Sequence, residues 1–240
     1  MPIETDTSRS MTIRVIEKAE AVGASVAGIA SVESLKNAPS YGVCRGAVWS
    51  AEAKSVLVLA LAHEASEPRL DWWDFKAGGN PGNRRLISMA DNLTQWLKEE
   101  CRIIAHPLPY QADKGGIFLK DAATLAGMGV IGKNNLLITP RHGPRVRLRA
   151  LLLGDALEPN GPVDFNPCER CEMPCRQACP RKAFRGGSYS RALCEVQMRE
   201  DEANRVTVDR WEVDESPLEV VKYCRACELA CPEPAEGPAL

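Results

Sequence analysis

The chain has 240 residues, 45% of them hydrophobic and 26% charged. That is the profile of an ordinary globular protein, long enough for one large or two modest domains. A formal net charge of −2 excludes a global pull toward nucleic acid or an anionic membrane. No apolar run reaches the ~18 residues of a membrane span, and the acidic start "MPIETDTSRS" lacks a secretory core. No membrane association is expected, and the chain is expected in the cytoplasm.

Residues 9–22, "RSMTIRVIEKAEAV", carry apolar positions at helical spacing and predict a helix. "SVAGIA" (25–30) and "SVLVLALA" (55–62) predict strands, the second apolar on both faces and so central in a sheet. "NRRLISMADNLTQWLKEE" (83–100) predicts an amphipathic helix after the turn signal "GGNPGN". "LKDAATLAGM" (119–128) predicts another, ended by glycine. "NNLLIT" (134–139) and "VRLRALLLG" (146–154) predict further strands. Strands alternating with helices give an α/β layer of about 160 residues. "LEPNGPVDFNP" (157–167) then reads as a connector, and the tail "PEPAEGPAL" as disordered.

Beyond the connector the chain becomes cysteine-rich. Eight of the ten cysteines lie between 168 and 231, while Cys44 and Cys101 stand apart as inert thiols. In a reducing compartment such a cluster reads as metal ligands rather than disulfides. One group is Cys168, Cys171, Cys175 and Cys179, followed by Pro180; the other is Cys224, Cys227 and Cys231, followed by Pro232, with Cys194 between them. Two CxxC pairs would satisfy structural zinc. Eight thiols in groups closing on Cys-Pro match two [4Fe–4S] clusters, in which the cysteine before proline serves the other cluster. By that exchange Cys168, Cys171 and Cys175 take Cys231, and Cys224 and Cys227 take Cys179 with Cys194. The first group runs C-x2-C-x3-C-x3-C, one residue longer in its second gap than the bacterial ferredoxin run. A single cluster, a three-iron form, and a Cys194 that is merely a buried thiol are the other readings.

"DKGGIFLKDAATLAGMGVIGKNNLLI" (113–137), followed by these cysteine groups, resembles the epoxyqueuosine reductases, cobalamin-dependent iron–sulfur enzymes of tRNA modification related to the reductive dehalogenases. In that family an Asp-Thr-Gly-Pro stretch runs through a helix into Ala-Gly-Leu-Gly-Trp-Ile-Gly-Lys. Asp113, Gly115, Lys120, Ala126, Gly127, Gly129, Ile131, Gly132 and Lys133 fall in the same register. The resemblance implies an α+β fold, with a nitroreductase-like α/β domain over residues 1–160 that binds a corrinoid or a partner. A ferredoxin-like domain over 161–240 would carry the two clusters. It implies cobalamin as a second cofactor, Asp113 as proton donor, and Cys194 as the isolated cluster ligand. An electron donor protein of ferredoxin or flavodoxin type, and a corrinoid or corrinoid protein, are the implied partners. Lys114 and Gly116 replace the family's Thr and Pro, and "NPGNRRL" (80–86) stands where its Asp-Tyr-His-Lys would fall. The family continues into a helical-repeat domain that helps hold tRNA. A short form ending at residue 240 makes tRNA an unlikely partner.

Two functional readings follow: a reductase acting at a corrinoid or small-molecule site, and a non-catalytic electron carrier or reductive activator of a corrinoid protein. In "GMGVIGKNN" (127–135), Gly129, Gly132, Lys133 and Asn134 suit cofactor contact, against a plain helix-to-strand turn. Asp113 is equally a common turn residue in "QADKGG". Arg145, Arg147 and Arg149 alternate along one strand and predict a solvated basic face paired with acids, or a site for an acidic partner. His63, His106 and His142 form no ligand spacing and read as structural or exposed. Trp72, Trp73 and Phe75 fit either core packing or the wall of a flat cofactor pocket.

Overall fold

The computed structural model describes residues 3–42, 52–63, 68–209 and 217–234. Cys44 and residues 235–240 of the expected disordered tail lie outside them. The central feature is a four-stranded sheet in the order β1 (Val26–Ser31), β2 (Ser55–Ala62), β6 (Val146–Leu153) and β3 (Ala105–Pro107), antiparallel throughout. β2 and β6 pair over eight residues, from Ser55↔Leu153 to Ala62↔Val146.

The apolar run of β2 is explained by what covers each face. Side chains alternate across a strand, so Val56, Val58 and Ala60 point one way and Leu57, Leu59 and Leu61 the other. The first set packs with Leu148, Ala150 and Leu152 against α2 (Val32–Lys36) and α4 (Leu119–Leu125). The second packs with Leu151 and Leu153 against α1 (Ile3–Ala21) and α3 (Pro81–Trp96). Helices therefore cover both faces of an interior strand. Leu57 is fully buried, so Leu57→Ala is expected to cost about 2–5 kcal/mol in urea unfolding, the range for a buried leucine truncated to a cavity.

α3 begins two residues before the expected start at 83, inside the turn signal: Asn80 Oδ1 accepts from the Asn83 amide at 2.8 Å, and Pro81 fills the first helical position. A wider turn over Leu97–Cys101 extends it, and Arg102 in the left-handed region closes it by donating to Leu97 O. The half-buried Cys101 packs on this side of the sheet. β4 (Val130–Ile131) and β5 (Leu137–Ile138) form a small hairpin beyond α4.

The cysteine-bearing segment adds short elements: α5 (Pro174–Gln177), α6 (Arg191–Ala203), the β7–β8 hairpin (Val206–Val208, Leu218–Val220) and α7 (Ala226–Leu229). α5 packs on α7, which brings the two cysteine groups together. A bridge between Trp73 and Val221, with amide-to-carbonyl distances of 3.0 and 2.8 Å, ties the loop after β2 to this segment.

Candidate redox site

The cysteines fall into two sets by mutual proximity. Cys175 and Cys231 are buried together around Ile138, with Cys168 packed against them and Cys227 of the other set reaching the same cluster. Burial pushes the Cys231 thiol up, and its neighbours Cys175, Cys168 and Cys171 push it further. Around the other set, burial raises Cys227 to about 12, with Cys224, Cys179 and Cys194 adding to the shift. Cys224 is raised by burial and by Asp201, then by Cys179 and Cys194. The sets are thus Cys168/171/175/231 and Cys179/194/224/227. Met173 N donates to Cys171 Sγ at 3.4 Å and Ala183 N to Cys179 Sγ at 3.3 Å. Among the described residues, no three His, Cys, Asp or Glu side chains converge on a point as a single bound ion would require.

Two adjoining cavities open beside the second set. The first, of about 460 Å³, is lined by Cys179, Cys194, Cys224 and Cys227, together with Trp73, Asn80 and Asn83. The second, of about 940 Å³, is lined by Asp113, Arg191 and Phe118. Tyr110, Lys120 and Arg147 border both. No cysteine of the first set lines either cavity.

Asp113 sits exposed on a short 3-10 turn, Ala112–Lys114. That turn is closed by the backbone, with Lys114 N and Gly116 N donating to Gln111 O at 3.1 and 3.0 Å. Lys120 Nζ donates to Asn135 O at 2.6 Å, and burial pushes its pKa down against the partly opposing Asp121. Asn134 is buried at the wall of the first cavity, its Nδ2 3.5 Å from Cys227 O. Gly129 and Gly132 lie in the β4–β5 hairpin, where an added Cβ would stand 2.1 Å from Ile138 O and 2.3 Å from Ile138 Cδ1, respectively. Close packing within the hairpin accounts for both glycines. Lys133 is exposed, and its carbonyl accepts from Arg176 Nε at 3.1 Å.

The sequence reading missed a buried charged network between the sheet and α7. His63, just past β2, pairs through Nδ1 with Asp71 Oδ2. Its Nε2 lies 3.2 Å from Glu228 Oε1, within ion-pair reach but without hydrogen-bond alignment. Arg147 Nε donates to Asp71 Oδ1 at 2.6 Å. Arg225 joins Asp71 Oδ2 at 3.0 Å and Glu228 Oε1 at 2.5 Å. Burial works to raise both acids, but His63 and the arginines hold Asp71 and Glu228 below the usual carboxylate range.

This corrects the solvated basic face expected on β6. The polar side of β6 faces the turn at Asp71 and α3 rather than open solvent, although Arg147 keeps about a third of its side chain exposed. Arg147 pairs with Asp71, and the buried Arg149 donates to Leu108 O at 2.9 Å and Asn83 Oδ1 at 3.0 Å. Among the aromatics, Trp73 lines the first cavity, whereas Lys222 Nζ covers Trp72 at 4.0 Å and Arg205 stacks on Phe75 at 5.2 Å.

No protein-family model matches the chain. An epoxyqueuosine reductase of Lactococcus garvieae is 30% identical over 189 residues, covering 75% of this chain and 52% of that protein. The tetrachloroethene reductive dehalogenase of Sulfurospirillum multivorans is 31% identical over 119 residues, 46% of this chain and 22% of that enzyme. The chain thus spans about half the length of the first relative and less of the second. A crystal structure of epoxyqueuosine reductase with an epoxyqueuosine-modified tRNA-Tyr stem loop shares the fold at a TM-score of 0.64 and 21% identity. That match covers 93% of this chain and 65% of the other. It overturns the expectation that tRNA is an unlikely partner. That expectation rested on where this chain ends, yet nearly all of the chain matches part of a protein seen with a tRNA stem loop.

Proposed function

Because this chain is a relative of the epoxyqueuosine reductases and reductive dehalogenases, we propose that it is an iron–sulfur reductase with a corrinoid site. On this reading residues 1–160 form a nitroreductase-like domain and 161–240 a ferredoxin-like one. Cys168, Cys171, Cys175 and Cys231 hold one [4Fe–4S] cluster, and Cys179, Cys194, Cys224 and Cys227 the other. The donor set suits such groups. Each of four irons takes one thiolate, so the sulfurs surround the cluster rather than meet at a point. The adjoining cavities, about 460 and 940 Å³, give the room a large flat cofactor needs.

The observation that carries this reading is the cavity pair itself, with four sulfurs on one wall and Asp113 on another. When bound, the clusters supply single electrons and the corrinoid a cobalt centre at which a substrate is reduced. The second cysteine set lines the first cavity and the first set lines neither, an order suited to passing charge inward. Asp113 offers its carboxyl proton to the leaving atom of the substrate. Lys120 and Asn134 orient what enters, and Leu136, Leu148 and Phe118 exclude water. The substrate class we assign is a tRNA stem loop bearing epoxyqueuosine, on the likeness to the tRNA-bound relative.

The test is anaerobic titration of the iron-loaded protein with cob(II)alamin, followed by turnover of an epoxyqueuosine-modified stem loop with dithionite as reductant. The expected result is a changed cobalt EPR spectrum and conversion to queuosine by mass spectrometry. Cobalamin that passes through unretained, with no conversion, contradicts the reductase reading and leaves that of an electron carrier.

A further inference from the structure

The mechanism above makes no use of His63, yet it is among the most deeply enclosed titratable groups of the chain. Its side chain is 1% exposed, and those of Asp71, Glu228 and Arg225 are 4%, 6% and 11% exposed. Two carboxylates face it, Asp71 from the turn after β2 and Glu228 from α7, and these are held in turn by Arg147 of β6 and Arg225 at the start of α7. The His63 amide donates to Arg145 O at 3.1 Å, fixing the backbone. Two carboxylates and two guanidiniums cancel, so the network is neutral with a neutral imidazole and carries +1 with a protonated one. Arg225 and Glu228 alternate in sequence with Cys224 and Cys227, at the wall of the first cavity. In such an enclosed place, charge added to one group is felt strongly by the next.

We propose that His63 is the proton site coupled to the electron received by the cysteine set Cys179/194/224/227. The proposal rests on the reading that this set holds a cluster. One electron from an external reductant enters that set, and one proton from solvent binds at His63 Nε2. No covalent bond to substrate forms, and both leave on reoxidation. Nδ1 is engaged with Asp71, whereas Nε2 is buried without a hydrogen bond and faces Glu228 Oε1, so Nε2 is where the added proton gains an ion pair. Glu228, which holds the ion pair to Nε2, borders both cavities. Burial presses His63 toward its neutral form, but Asp71 and Glu228 outweigh it and hold its pKa above the ordinary 6.5. An added electron raises it further. The potential therefore falls with pH in a window that opens above 6.5, between the oxidised-state and reduced-state values.

The experiment is an EPR-monitored redox titration of the iron-loaded full chain with dithionite, from about pH 6 to about pH 9. One cluster is expected to fall by up to about 59 mV per pH unit, one proton per electron, while the other stays flat as an internal control. His63→Gln is expected to flatten the sloping cluster with iron content unchanged. Two flat clusters in the wild type, or a slope that survives in His63→Gln, overturns the proposal. Should that variant lose iron, reduced-minus-oxidised infrared spectra of wild-type protein with and without ¹⁵N-histidine decide: isotope-sensitive bands support it and their absence overturns it. A chain that binds no iron at all sinks the cluster reading instead.

Discussion

Asp113→Asn is expected to leave iron and sulfide content unchanged while turnover of the modified stem loop falls about 10²–10⁴-fold, the usual worth of a positioned general acid. The geometry explains why such a separation should be clean. The 3-10 turn that carries Asp113 is closed by the Gln111 carbonyl and by Gly115 in the left-handed region, so the amide variant keeps its backbone hydrogen bonds. Both cysteine sets lie in other elements. The Asp113 carboxyl lines the second cavity with Arg191 nearby, placed to act on whatever occupies it. Asparagine keeps the shape and loses the proton. Equal turnover in wild type and variant, measured under saturating dithionite, identifies Asp113 as a turn residue only.

Cys194→Ala is expected to remove one cluster of the two, lowering iron from about eight to about four per chain. Cys194 stands in the first turn of α6, whose start is capped by Ser190 Oγ accepting from Leu193 N at 3.4 Å. It is half-buried at the cavity wall, and burial together with its sulfur raises the pKa of the neighbouring Tyr189. α6 itself buries none of its side chains. Loss of the thiol therefore leaves the fold intact, and a merely packed cysteine would not change the iron count. EPR of the variant should show the cluster of Cys168/171/175/231 alone. Retention of all the iron contradicts the crosswise pairing.

The contrast between what was and was not legible in the sequence has a physical origin. β2 is read correctly to the residue, because seven apolar side chains in a row after Ser55, alternating between two covered faces, leave no other reading. α3 is read almost as well from its apolar spacing and the preceding turn signal, with its start placed two residues late at 83 rather than at Pro81. Spacing and the closing prolines mark seven of the grouped cysteines, whereas Cys194 enters as the remaining fourth ligand and through the family resemblance. The arginines of β6 are misread because period-two alternation cannot say that α3, through Asn83, and the turn at Asp71 meet the polar face. The His63 network is invisible for a related reason. Its members come from β2, the following turn, β6 and α7, and only antiparallel pairing and the Trp73–Val221 bridge make them neighbours. One local sign existed: Arg225 and Glu228, three apart and flanking Cys227, put opposite charges on one face of a short helix.

Metal analysis of anaerobically prepared protein tests the central claim most directly. Two crosswise four-thiol sets predict about eight irons and about eight acid-labile sulfides per chain, with a brown colour bleached by dithionite. A colourless protein that carries zinc and no labile sulfide contradicts the account.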